Sequence, residues 1–166
     1  LAGFRDPGIG TDTLIYVDRI WHNIQYIHDW RDFVYAYQQK MFDDIEIGYL
    51  FLNLVASLFG HDVYLIYFLA NFVVILLVYL TAYNYRKRVP MWLIISMFLF
   101  LYYSLSLNLV RQSIALATGL YSFKFLEQRD WVKLSIWVII TLMAHNTGIF
   151  FLFFIGLYWI YSQFNS

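Results

Sequence analysis

Residues 63–85 run for twenty-three positions without a charge, and Arg86, Lys87 and Arg88 follow at once. At about 1.5 Å per residue the run makes a helix of roughly 34 Å, enough to cross a ~30 Å hydrocarbon core. A helix at the surface of a soluble protein keeps a polar stripe toward water, and this one has none. The cationic triplet marks its end as cytoplasmic, because lysine and arginine stay behind when a helix inserts. The rest of the chain must therefore be read against a bilayer.

Further apolar runs fit that reading. Residues 89–110 form a second transmembrane segment that opens with Pro90, a residue tolerated in the first turn of a helix. Residues 111–127 return across the membrane and end among Lys124, Arg129 and Lys133, the same side as Arg86. Residues 134–161 are twenty-eight long, about 42 Å as one helix, so they must tilt or break. The polar insert His145-Asn146-Thr147-Gly148 is the expected break. Residues 46–62 hold an apolar run of only fourteen, about 21 Å, so this segment is either re-entrant or transmembrane. Across the chain, 61% of residues are hydrophobic and 13% charged, far outside soluble usage. Eight of the eleven acids fall in residues 1–46; residues 1–45 are accordingly expected as an extracytoplasmic polar loop with amphipathic helices. The fold expected is an all-α, polytopic helical bundle in the membrane.

Charged and polar residues bordering apolar runs are the candidates for chemistry, since each costs about 2.5–3.5 kcal/mol at the bilayer centre. Asn108, Arg111 and Gln112 have the i, i+3, i+4 spacing that places side chains on one helix face. Ala115 and Gly119 continue that side as small residues suited to close helix packing. Arg111 either snorkels to the headgroups or clamps a phosphate group with its planar fork. His145 is the twelfth residue of its run, where snorkelling is difficult; it is a packing residue, a proton relay or a base. Glu46 opens its short segment, either as a partner of the helix dipole or as a carboxylate facing a cavity. Asp12, with Arg5 and Tyr16, lies in a turn-rich stretch.

Several classes are disfavoured. The four histidines lack close metal-ligand spacing, and there is no cysteine. No phosphate-binding glycine loop or nucleophile elbow is present, and nucleic acid finds no basic patch.

Four passages carry a resemblance: GFRDPGIGTDTLIY at residues 3–16, EIGYLFLNLVASLFG at 46–60, NLVRQSIALA at 108–117 and AHNTGIF at 144–150. In order and spacing they resemble the EpsG family of exopolysaccharide and capsule polymerases, relatives of the Wzy-type polymerases. The resemblance implies a multi-pass protein of the bacterial inner membrane. It also implies that this chain lacks a first membrane helix and a C-terminal half. The implied reaction passes a glycan from undecaprenyl pyrophosphate to a hydroxyl of the next lipid-linked repeat, with no cofactor. Its partners would be that lipid-linked oligosaccharide, membrane lipid and other polysaccharide assembly proteins. Arg111 with Gln112 would contact the pyrophosphate, Asn108 and Tyr16 would bind substrate, and Arg5 would bind substrate by orienting sugar or would supply a base. His145 would accept a proton or hold the diphosphate, and Glu46 and Asp12 would orient sugar or supply a base. Gly148 departs from the apolar residue the family pattern leads one to expect there. A transporter or flippase component of polysaccharide export is the alternative, since it too would show broken helices and polar residues at mid-membrane.

Overall fold

The computed structural model describes residues 17–27, 29–42 and 45–164, and these are helical almost throughout, with no strand among them. Two short helices, α1 (Asp18–Ile24) and α2 (Trp30–Gln38), precede α3 (Ile47–Ser57) and the long α4 (Tyr64–Tyr85). Next comes α5 (Met91–Met97), which widens through a π-helical turn at Phe98–Tyr102 into α6 (Tyr103–Asn108). Then follow α7 (Val110–Glu127), α8 (Trp131–Ala144), a 3-10 turn at Asn146–Gly148 and α9 (Ile149–Phe164).

Among the described residues, three helices are long and apolar enough to cross a membrane: Tyr64–Tyr85, Met91–Asn108 and Asn146–Phe164. Their outer faces expose Phe68, Phe72, Phe100, Phe153 and Trp159. Contiguous apolar surface of this kind has no stable place in water, and in a bilayer it meets lipid. The chain is a membrane protein.

Central among these helices is α7, packed between α4 and α8. It carries Arg111, Lys124 and Glu127, so it does not rank with the three apolar helices, and more of its residues are buried in protein than theirs. Ala115, Ala117 and Gly119 are buried, and Gly119 lies so close to Phe151 of α9 that a Cβ there would sit 2.4 Å from the ring. Polar groups buried without water must pair internally. Accordingly Thr141 of α8 donates to Thr118 of α7 at 3.0 Å, while Asn53 and Asn71 each donate to the carbonyl four residues earlier.

The last apolar run is divided between two helices. α8 stops at Ala144, and His145 takes an extended backbone (φ −165°, ψ 146°). After the 3-10 turn, α9 doubles back: Ile155 and Tyr158 pack on the cluster formed by Phe125 and Leu126 at the end of α7 and Leu134 near the start of α8. A Cβ on Gly148 would stand 2.8 Å from the carbonyl oxygen of Thr141. Close backbone approach thus accounts for glycine where an apolar residue was expected.

At about 1.5 Å per residue, the 11-residue α3 is roughly 16 Å long, half of a ~30 Å core, so this helix cannot cross on its own. It is instead held inside the bundle. Tyr49, Leu50 and Ala56 are buried, α1 covers one side with Ile20, Trp21 and Ile24, and the Trp21 indole N–H donates to the His61 carbonyl at 3.1 Å. Where α3 meets α8, Gly48 lies directly on the chain of Met143: a Cβ would come 2.5 Å from its carbonyl oxygen.

Gly48→Ala is therefore expected to push α3 off α8, with an overpacking cost of about 1–3 kcal/mol. Thermal unfolding of the detergent-solubilised protein should show a lowered midpoint. Gly156→Ala, where a Cβ meets nothing within 4 Å, should leave it unchanged; equal behaviour of the two variants would refute the close contact.

Candidate functional site

Glu46 is the last residue before α3, Arg111 the second of α7, and His145 the single extended residue between α8 and the turn that begins α9. Three chain segments far apart in sequence thus converge on one carboxylate. Arg111 Nη1 donates to Glu46 Oε2 at 2.8 Å, and the main-chain N–H of Asn146 donates to Oε1 at 3.2 Å. His145 Nε2 stands 3.8 Å from the same Oε1. The Glu46, Arg111 and His145 side chains are 8%, 13% and 23% exposed, so the histidine is the open side of the cluster.

Helix ends explain these positions. At Leu109 the backbone leaves the helix (φ −105°, ψ 61°), and the carbonyl of Leu109 then accepts both the N–H and the hydroxyl of Ser113. This starts α7 afresh and places Arg111 in its first turn. The end of α8 at Ala144 likewise frees the Asn146 N–H for Glu46. Glu46 makes no side-chain cap to its own α3; its oxygens face α7 and the α8–α9 turn. Arg111 points inward to Glu46, not outward to headgroups.

The orientation of His145 follows from its neighbours. The Thr147 main-chain N–H donates to Nδ1 at 3.0 Å, and an N–H can only donate. Nδ1 is therefore the acceptor, and the proton of the neutral ring sits on Nε2, the nitrogen 3.8 Å from Glu46 Oε1. In this arrangement the imidazole offers a donor toward the site, with its lone pair engaged elsewhere. Guanidinium, imidazole N–H and main-chain N–H together form a set of donors suited to an anion, with Glu46 as the adjoining group able to take a proton.

Asn108 does not share the face of Arg111 and Gln112, as the uninterrupted i, i+3, i+4 spacing had led us to expect. It closes α6, and the break at Leu109 separates it from α7. Gln112 is half-buried beside Arg111. Arg5, Asp12 and Tyr16 lie outside the described residues. Two contributors escape sequence reasoning: the Asn146 main-chain N–H, which has no side-chain signature, and Thr147, whose N–H orients the histidine. The only signal for either is the polar insert itself.

Removing one partner of a buried ion pair strands the other, at a cost of about 3–5 kcal/mol. Arg111→Ala should lower stability by that order in chemical or thermal unfolding. Adding Glu46→Gln to Arg111→Ala should recover most of the loss, because no stranded carboxylate remains. Simple additivity of the two changes would show that the pair is not coupled.

No curated protein and no solved structure matches the chain. A family model does: the EpsG family matches residues 1–166, the whole chain. The four passages that carried the likeness fall within that match, and Glu46, Arg111 and His145 each lie in one of them. The chain belongs to the EpsG family, a family of Wzy-like polymerases.

Proposed function

We propose that this protein works as a polysaccharide polymerase of the bacterial inner membrane, moving a growing glycan from undecaprenyl pyrophosphate to a sugar hydroxyl of the next lipid-linked repeat at the extracytoplasmic face. The observation that carries the reading is the convergence of Glu46, Arg111 and His145 from three separate segments on one partly buried point.

The leaving group in such a transfer is a lipid pyrophosphate, which gains negative charge as the glycosidic bond breaks. Donors fixed where charge develops lower the barrier without reorganising. Arg111 and the Nε2–H of His145 are the donors assigned to that role, assisted by the Asn146 N–H. Glu46 is assigned to accept the proton of the attacking hydroxyl. Gln112 would add an amide donor beside Arg111. Asp12, Arg5 and Tyr16 are assigned to the sugar on the family resemblance.

Charge distribution supports the side of the membrane. Arg88 pairs with Glu127 at 2.7 Å, bringing the ends of α4 and α7 together, and Lys87 and Lys124 line the same surface. That cationic end is the cytoplasmic one under the positive-inside rule. Arg111, in the first turn of α7, lies away from it.

Glycan output tests the reading. In a strain lacking the full-length gene, complementation with Arg111→Ala or His145→Ala at wild-type membrane abundance should abolish long polymer and accumulate single lipid-linked repeats. Normal polymer from Arg111→Ala would remove the pyrophosphate role. If single repeats fail to reach the outer face, the lost step is translocation, and export is the function.

A further inference from the structure

Glu46 is hydrogen-bonded to two of the donors assigned to the pyrophosphate, an Arg111 N–H and the Asn146 N–H. Its Oε2 takes the Arg111 guanidinium at 2.8 Å and its Oε1 the Asn146 N–H at 3.2 Å, with His145 Nε2 at 3.8 Å. Both oxygens of the carboxylate are thereby engaged by donors and turned away from an incoming hydroxyl. A diphosphate that claims Arg111 Nη1 and the Asn146 N–H competes with Glu46 for both.

We infer that Glu46 is an exchangeable counter-anion: an arriving pyrophosphate displaces it from Arg111, and the displaced carboxylate becomes the base of the reaction. This rests on the glycan-transfer reading and adds an order of events to it. Among the described residues, the charged or titratable groups facing Glu46 are Arg111 of α7 and His145 of the α8–α9 turn. Once a diphosphate engages both, Glu46 loses its cation and gains a multiply charged anion beside it. Both changes raise its affinity for a proton.

The transfer step then balances. The acceptor hydroxyl gives its proton to a Glu46 oxygen while its own oxygen bonds to the anomeric carbon. The bond from that carbon to the pyrophosphate oxygen breaks, and its electron pair leaves with the pyrophosphate. Before a donor is seated, Glu46 is occupied by Arg111 and cannot activate a hydroxyl or a water. The exchange would therefore suppress wasteful activation in the empty site.

Calorimetric titration of inorganic pyrophosphate into the full-length protein, in buffers of different ionisation enthalpy, reads the exchange. Wild type should take up more protons on binding than Glu46→Gln, with a larger difference at pH 6 than at pH 8. The protonation of pyrophosphate itself is common to both proteins and cancels in the comparison. Glu46→Gln, which competes less for Arg111, should bind about tenfold more tightly. Equal proton counts and equal affinity would overturn the exchange while leaving pyrophosphate binding standing. Absence of binding to either protein would overturn the exchange and the pyrophosphate reading together. Infrared difference spectra of wild type need no variant to fold: pyrophosphate at pH 6 should raise a protonated-carboxyl band, and its absence would overturn the exchange.

Discussion

The Glu46–Arg111 ion pair is the interaction on which the arrangement of this bundle depends. Both charges lie largely out of water, and the desolvation of each costs several kcal/mol unless a partner and further hydrogen bonds offset it. The cost is met by drawing three segments to one place. The start of α3 must reach α7, and the end of α8 must open to supply the Asn146 N–H. A continuous helix through residues 134–161 would have kept that N–H in its own ladder. The break in the last apolar run thus supplies one of the hydrogen bonds that satisfy this carboxylate.

Small residues allow this convergence. Gly48 lets α3 touch the backbone of Met143, Gly148 lets the turn pass under Thr141, and Gly119 accepts the ring of Phe151. Around a membrane helix lipid is as apolar as leucine, so close packing and buried hydrogen bonds, not apolar burial, decide which helices associate. The Thr118–Thr141 hydrogen bond ties α7 to α8 about two helical turns from Arg111 and one from His145. The rigidity of that contact matters for chemistry, since the donors at Arg111 and His145 are useful only if they hold their spacing.

Much of the architecture is legible in the sequence, and the reasons are physical. The charge-free run before Arg86 requires a spanning helix, and α4 occupies Tyr64–Tyr85. The family likeness rests on four passages in a fixed order, and the family match covers them all. The polar insert at His145 is an interruption that a bilayer would not tolerate inside a plain helix. What the sequence does not disclose is tertiary. Glu46 and Arg111 are 65 residues apart, and no periodicity links them. The break at Leu109 has no glycine or proline to announce it, so Asn108 looked like a helical neighbour of Arg111. Gly148 looked like a departure from pattern until the carbonyl of Thr141 was placed beneath it.

The absence of cysteine from the chain makes the convergence directly measurable in native membranes. Leu52→Cys and Met143→Cys, which leave Glu46, Arg111 and His145 in place and line one cavity between α3 and α8, are treated with a short thiol cross-linker. The expected result is efficient intramolecular cross-linking, comparable to a Val78→Cys and Ala117→Cys pair between α4 and α7, which line one cavity. Cross-linking of the α4–α7 pair without any between positions 52 and 143 would mean that α3 does not meet the end of α8, and the site built on that meeting would not exist.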